Sequence, residues 1–438
     1  MTHTAVFSPT GRIRGFSSRR SDEALTALES RTAHSWLMAL DRAKVLPDLP
    51  ATPSAAVRLF IKAAAGAHVT DMDGTRYVDL CLNDGAQILG HAPPVVQRAI
   101  VDQSARGWHF DLPGESQLEL ARLIQSAGAA NERVALCSSG NEALHHALRA
   151  ARAFTGKAGI GVFRGAEHGK SLREDGAIEL LPANESAALE RVQHHKTLAA
   201  VLVEAVSAAE PGLDRAAWLH ELALCCRNAG ILLILDERLT GFRLAYGGAQ
   251  EIFGLIPDLV VYGKTVGGGL PLGAVAGHTD IMKAGYETDG KPEFARVPSL
   301  SPLSVTAGIA TLDYLHGRRA ALYPALNETG RDLAEHFNAF AREEQIPAFL
   351  QCAGSMFRIK LGSNRRAGEP VTAESSPAWA TTEASFNVLT LSRGILMLSC
   401  RRGFLSTAHT RADIGCVTEA FQLALRDLRD DGLFAGML

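Results

Sequence analysis

Residues 231–237 read ILLILDE, an apolar run that closes on two carboxylates, and residues 257–264 read PDLVVYGK, a second apolar run that closes on Lys264. The glycine-rich GGGLPLG follows at 267–273. Short unbroken apolar runs mark strands buried on both faces, so the two stretches predict members of a parallel sheet. A buried strand delivering a carboxylate, with a later one delivering an amine, suits a site that holds an aldehyde cofactor.

Outward from this centre the pattern repeats. RVALCSS (133–139), IGVFRG (160–165), AAVLVEAV (199–206) and GAVAGH (273–278) read as strands. PPVVQRAIVDQSARG (93–107), ESQLELARLIQSAG (115–128), NEALHHALRAARAFTG (141–156) and DRAAWLHELALCCRNAG (214–230) carry apolar residues at helical spacing. Strands alternating with helices predict βαβ units and an α/β fold with a mostly parallel sheet. Ligands of such sheets bind outside the carboxyl ends of the strands, which puts Asp236 and Lys264 at one edge.

Towards the N-terminus, residues 1–20 are expected to be an unstructured tail, and SDEALTALESRTAHSWLMALDRA (21–43) a helix with Ser21 as its N-cap. Pro47, Pro50 and Pro53 break that helix. RLFIKAAAGAHVTDMDGTRYVDLCLN (58–83) reads as two or three short strands around an Asp73-Gly74 turn. Towards the C-terminus, SPLSVTAGIATLDYLHG (301–317) opens a long helix, and SMFRIKLG (355–362) and GILMLSC (394–400) read as strands. SNRRAGEPVTAESSPAWATTE (363–383) has the composition of an exposed loop, and TRADIGCVTEAFQLALRDLRD (410–430) closes the chain as a helix. The expected organisation is an N-terminal segment over 1–75, a large cofactor-binding domain over 76–312 and a smaller α+β domain over 313–438.

Composition sets limits on function. A chain of 438 residues is too long for one core, since single cores stop growing near roughly 250–300 residues. With 47% hydrophobic and 21% charged residues it reads as an ordinary globular protein. A net charge of −3 with mixed signs gives no footprint for nucleic acid or an anionic membrane, leaving small molecules as the expected partners. The seven cysteines are an odd set without a CxxC pair, so neither a disulfide framework nor a metal site is signalled and reduced, mostly buried thiols are expected. No stretch is apolar enough for a membrane helix, the N-terminus lacks a secretory apolar core, and a cytoplasmic location is the default expectation.

Three motifs carry chemistry. Gly263-Lys264-Thr265 is not a phosphate loop, because that motif needs glycine at position 258, which is Asp. A lysine leaving an apolar strand is instead placed to form a Schiff base, although a lysine merely reaching the surface would look the same. Asp236 at the end of ILLIL needs a partner, and a pyridine nitrogen is one. Ser138-Ser139-Gly140-Asn141-Glu142 joins a strand to a helix whose free N–H groups can hold a phosphate. Phosphate loop, acid and lysine, in that order on alternating strands, together describe a pyridoxal 5'-phosphate (PLP) site.

From about Arg58 to its end the chain resembles the class III aminotransferases of PLP fold type I, in the branch of glutamate-1-semialdehyde aminomutase and β-amino-acid aminotransferases. The resemblance rests on LILDERLTGFR, PDLVVYGKTVGGGLPLGAVAGH, SSGNEALHHALRAAR and GFLSTAHT. It implies a large domain with a mainly parallel seven-stranded sheet, a homodimer with interface active sites, and transfer of an amino group between a small donor and acceptor. Lys264 then holds the cofactor and shuttles protons, Asp236 meets the ring nitrogen, and Ser139, Gly140 and Asn141 bind phosphate. Glu204 falls near the cofactor's 3-oxygen, His168 in the family's Tyr-His-Gly segment, and Arg58 on an arginine that holds a substrate carboxylate.

The chain also departs from that family. Glu167 stands where an aromatic residue stacks on the ring, and Arg238 where valine or isoleucine packs on its other face. Val297 replaces a phosphate-binding threonine, leaving Ser299 or Ser301 to substitute. Asn83-Asp84-Gly85 replaces a Ser-Trp-Gly turn. Glu167 and Arg238 either pair with each other or meet a polar substrate. The expected activity is a PLP-dependent aminotransferase, with an aminomutase, lyase or epimerase, or a catalytically silent partner subunit, as alternatives.

Overall fold

The structure is a computed structural model and describes residues 18–35, 38, 59–166, 168, 172, 177–182, 185–207, 210–288, 291–292, 300–362, 377–400 and 402–435. The chain divides into two units, one of residues 1–82, 89–92 and 328–438 and the other of residues 83–88 and 93–327.

In the first unit, α1 (Arg19–Arg31) precedes β1 (Ile61–Ala65), β2 (His68–Asp71) and β3 (Arg76–Asp79). The N-cap is Ser18, whose Oγ accepts from the Ser21 N–H, so Ser21 lies inside the helix rather than capping it. The β2–β3 turn is held by buried Asp71. Its carboxylate accepts from the N–H groups of Asp73 and Thr75, at 3.0 and 2.8 Å, and from the Tyr77 hydroxyl at 3.0 Å.

The second unit holds the large sheet. Its strands are β4 (Arg133–Cys137), β5 (Gly159–Phe163), β6 (Ile178–Leu181), β7 (Leu198–Val203), β8 (Leu232–Glu237), β9 (Leu259–Tyr262) and β10 (Gly273–Gly277). A minor hairpin pairs β11 (Glu287–Thr288) with β12 (Lys291–Pro292). The sheet order is β4-β10-β9-β8-β7-β5-β6, with β10 antiparallel to both neighbours and the other pairings parallel. The mainly parallel α/β sheet expected from the sequence is therefore present. Strand β6 was not among the runs the sequence marked.

Around it lie α2 (Pro94–Ser104), α3 (Glu115–Gln125), α4 (Gly140–Thr155), α5 (Glu185–Gln193), α6 (Ala216–Ala229), α7 (Gly248–Phe253) and α8 (Thr279–Tyr286). Every residue of β7, β8, β9 and β10 is buried, which is why these strands read as unbroken apolar runs. Helix α4 buries Ala143, Leu144, Ala147, Leu148 and Ala151, one face at three- and four-residue spacing, into the core formed with Ile160, Ala200, Ile234 and Val261. Each large aliphatic side chain so buried contributes about 1.5–3 kcal/mol.

Helix α9 (Pro302–Glu343) follows, and the division between units falls within it at Asn327 and Glu328. The first unit resumes with β13 (Ala348–Ala353), β14 (Met356–Leu361), α10 (Pro377–Ser392), β15 (Ile395–Leu396), β16 (Gly403–Phe404) and α11 (Arg411–Asp430). Strand β15 adds to β3, completing the sheet β1-β2-β3-β15, while β13, β14 and β16 form another. The end of the supposed loop 363–383 is helical, because PAWATTE opens α10; the rest of that loop, and the three prolines near residue 50, lie outside the described residues. Thr410 caps α11 through a reciprocal box with Asp413. Of the cysteines, Cys137, Cys226 and Cys400 are buried, Cys416 is exposed and the others are half-buried, which corrects the expectation of mostly buried thiols.

Candidate active site

Parallel pairing of β8 with β9 aligns Asp236 with Val261 and Glu237 with Tyr262, so the carboxyl ends of the two strands lie side by side. Asp236 is the penultimate residue of β8, and Lys264 follows β9 after one glycine. Strand β4 points the same way as β9, since both are antiparallel to β10, and it delivers Ser139 and the N-terminus of α4 at the same edge. Gly273 on β10 packs against the backbone of Ser139 and Gly140 so closely that a Cβ there would collide with it.

Asp236 is buried and fully engaged. Its Oδ1 accepts from the Arg238 backbone N–H at 3.1 Å and from Arg238 Nε at 2.9 Å, while Oδ2 accepts from Arg238 Nη2 at 2.7 Å and His168 Nδ1 at 2.9 Å. Burial pushes the carboxyl pKa up, but the Arg238 charge and the hydrogen bonds from His168 and Arg238 outweigh it and hold the group below the usual carboxylate range. Arg238 Nη1 donates to Asn141 Oδ1 at 2.6 Å, tying the acid to the start of α4. Glu204, His168 and Asp236 bring ligand atoms within 4.8 Å of one another. His168 Nε2 is buried without a hydrogen-bond partner among the described residues.

The lysine has its own partner. Lys264 Nζ donates to the Asp84 carboxylate, and both side chains are part exposed. Lys264 sits at φ +51°, and Asn83 and Asp84 both at +54°, ahead of Gly85 at +83°. Left-handed backbone at non-glycine residues costs on the order of 1–3 kcal/mol each and survives only where surroundings enforce it. Fully buried Arg243 is one such restraint, donating through Nη2 to the Gly85 carbonyl; burial lowers its pKa to about 10.

At the helix end, Ser139 Oγ accepts from the Glu142 N–H at 3.1 Å, and Glu142 in turn accepts from the Ser138 N–H at 2.8 Å. The Ser139 hydroxyl and carbonyl take the N–H groups of Glu142 and Ala143, so within the first turn of α4 it is the N–H groups of Gly140 and Asn141, ahead of the helical ladder, that can face an anion.

Known proteins now bear on this arrangement. The family model described as Aminotransferase class-III matches residues 51–177 and 171–409. The chain belongs to this family. A glutamate-1-semialdehyde 2,1-aminomutase of Myxococcus xanthus is 34% identical over 404 residues, covering 85% of this chain and 92% of that one. A β-phenylalanine aminotransferase from Variovorax paradoxus superposes with a TM-score of 0.84 at 26% identity, over 94% of this chain and 97% of the other. An omega-transaminase from Sphaerobacter thermophilus does so with 0.80 at 29%, over 91% and 98%. As a class III aminotransferase of PLP fold type I, the protein is an enzyme that uses pyridoxal 5'-phosphate, in the range of aminotransferases and aminomutases.

The residues of this class III aminotransferase fit that cofactor by their donor set: an amine for the aldehyde, free helix N–H groups for the phosphate, and a buried carboxylate held ionised for the ring end. The structure brings together Lys264, Asp236, Arg238, His168, Glu204, Ser139, Gly140 and Asn141 at one sheet edge. Arg58, Glu167, Val297 and Ser299 lie outside the described residues; Ser301 is described and half-buried. Sequence reasoning noted Asp84 only as a departure and missed its pairing with Lys264, as it missed Arg243. For Arg238 it considered Glu167 or a polar substrate; Glu167 lies outside the described residues, and among those described Arg238 pairs with Asp236 and Asn141.

Beside Asp236, Glu237 faces away from this cluster. Its carboxylate accepts from Thr240 Oγ1 and from the N–H groups of Ala249 and Gln250, at 3.0 and 2.8 Å. Burial outweighs these donors and raises its pKa from 4.5 to about 7. Between those values the native state holds a proton that the unfolded chain has lost, so stability falls as pH rises from about 4.5 to about 7, by roughly 3 kcal/mol. Thermal midpoints of the wild type are expected to drop across this window, and those of Glu237→Gln to stay flatter. Parallel profiles would contradict this origin.

Proposed function

We propose that this class III enzyme transfers an amino group from a small, carboxylate-bearing donor to an oxo acceptor, with Lys264 as the residue that carries the cofactor and moves the proton. The observation that supports this most is the placement of Lys264 and Asp236 at the carboxyl ends of adjacent parallel strands. Bound PLP supplies an aldehyde for the amino group and a ring that draws charge from the carbon losing its proton.

The chain's own residues do the rest. Ser139, Gly140 and Asn141 hold the phosphate at the start of α4, with Ser299 adding a hydroxyl. Asp236, oriented by His168, would meet the ring nitrogen, and Glu204 would lie on the side of the 3-oxygen. With the cofactor bound, Lys264 Nζ would move the proton at the carbon bearing the amino group, and Asp84 orients Nζ by accepting its hydrogen bond. Arg58 holds the substrate carboxylate, and Glu167 and Arg238 give the site its polar character.

The same reading takes the enzyme as a cytoplasmic homodimer with active sites at the interface. Exposed Trp108, Phe110, Leu112 and Leu118, in and after one connecting segment, are apolar surface suited to a second copy. No helix among the described residues is long and apolar enough to cross a membrane.

The test is a visible spectrum of the purified protein with added PLP, followed as candidate amino acids are supplied. A band of lysine-bound cofactor that bleaches with a carboxylate-bearing amine is the expected result, with a free oxo product that needs a second acceptor for turnover. Turnover of one substrate without an acceptor would replace transamination by amino movement within one molecule, the reaction named for the Myxococcus relative. Absence of any such band would leave only a silent partner subunit.

A further inference from the structure

We propose that Arg238 retains the Asp236 carboxylate in the working enzyme, so that the ring nitrogen of the bound cofactor is held without a proton. The inference rests on the reading above that Asp236 stands at the ring end. A carboxylate offers about four acceptor positions. All four on Asp236 are filled by donors of this chain: the Arg238 N–H, Nε and Nη2, and His168 Nδ1. A protonated ring nitrogen would be a fifth donor, and a second cation beside a guanidinium that does not give up its charge.

Arg238 is also built in place. A Cβ on Gly140 would lie 3.0 Å from Arg238 Cδ and 3.2 Å from Cγ, and one on Gly263 would lie 3.4 Å from Cβ and Cγ. The arginine stem therefore passes between two positions kept free of side chains. At its far end Nη1 is fixed by Asn141 Oδ1 at 2.6 Å, so every guanidinium nitrogen has an acceptor. Bidentate geometry of this kind is specific to arginine, and the group is only 13% exposed. Glu204 adds negative charge nearby, which favours the guanidinium where it is. An unprotonated ring draws less charge from the reacting carbon, and the reaction leans correspondingly more on Lys264.

The experiment loads the full-length protein with PLP labelled with nitrogen-15 in the ring and reads the nitrogen chemical shift near neutral pH. The wild type is expected to show a neutral pyridine nitrogen. Arg238→Val, which keeps the backbone N–H but frees the two acceptor positions filled by Nε and Nη2, is expected to show a protonated one. Cofactor affinity, read by fluorescence titration, is expected to tighten about tenfold in that variant, because a charge-assisted hydrogen bond becomes available. Arg238→Lys, unable to bond both oxygens in the plane, is expected to shift towards the protonated form and serves if the valine variant does not fold. A protonated nitrogen in the wild type overturns this inference and leaves the cofactor assignments standing. Absence of a bound-cofactor signal in the wild type overturns the proposed function, and this inference with it.

Discussion

Lys264→Ala is expected to lower turnover by on the order of 10⁴-fold, the upper range for loss of a positioned proton-transfer group. The fold should barely respond. Lys264 and Asp84 are 33% and 42% exposed, and ion pairs so open to solvent are worth about 0–1 kcal/mol. Alanine inherits the same left-handed φ of +51° and carries the same Cβ, so the backbone term is nearly unchanged. Borohydride should fix PLP on the wild type and not on the variant, while phosphate-end binding at α4 persists in both. Lys264→Arg separates the two roles of the residue: it keeps a cation beside Asp84 but cannot form the carbon–nitrogen link. Arginine should therefore be as inactive as alanine. If it restored turnover, Lys264 would be a charge partner of Asp84 and not the residue that carries the cofactor.

The parts of this site that could be read from sequence are those fixed by burial. ILLIL and LVVY are buried along their whole length, so their apolar runs pointed directly to β8 and β9 and to the two charged residues at their ends. The edge strand β6 was harder to see, since it is four residues long and only Leu181 of it is buried, Leu180 being exposed. The Ser18 cap was confused with Ser21 because two serines three residues apart each satisfy the same preference. Asp84 and Lys264 are joined across the chain by a left-handed turn, and no periodicity encodes that. The Arg238 contact did leave a trace: in the turn that follows β8, an arginine two places after a buried aspartate can return both its N–H and its side chain to that carboxylate.

That proximity makes the second large effect one of stability. Asp236→Ala removes the counter-charge from Arg238, 13% exposed, and the acceptor from His168, 4% exposed. Breaking one side of a buried pair typically costs about 3–5 kcal/mol, because the surviving charge stays desolvated. Removing both partners is a different case, since replacing a buried pair by apolar groups is often close to neutral. Asp236→Leu with Arg238→Leu should accordingly recover most of what Asp236→Ala loses, with a coupling on the order of 2–3 kcal/mol between the two positions. Thermal midpoints should follow, with Asp236→Ala lower by about 5–10 °C and the double variant near the wild type. The depressed pKa of Asp236 fixes how this depends on pH. Its stabilisation is present above the ordinary carboxylate value of 3.8 and is lost only as pH falls well below it, so the deficit of Asp236→Ala should be constant from about pH 5 to pH 8. A deficit that grew across that range would point to Glu237, whose carboxyl titrates there. If the double variant were no more stable than Asp236→Ala, the aspartate would be stabilised by something other than its arginine, and the Arg238 clamp would lose its energetic basis.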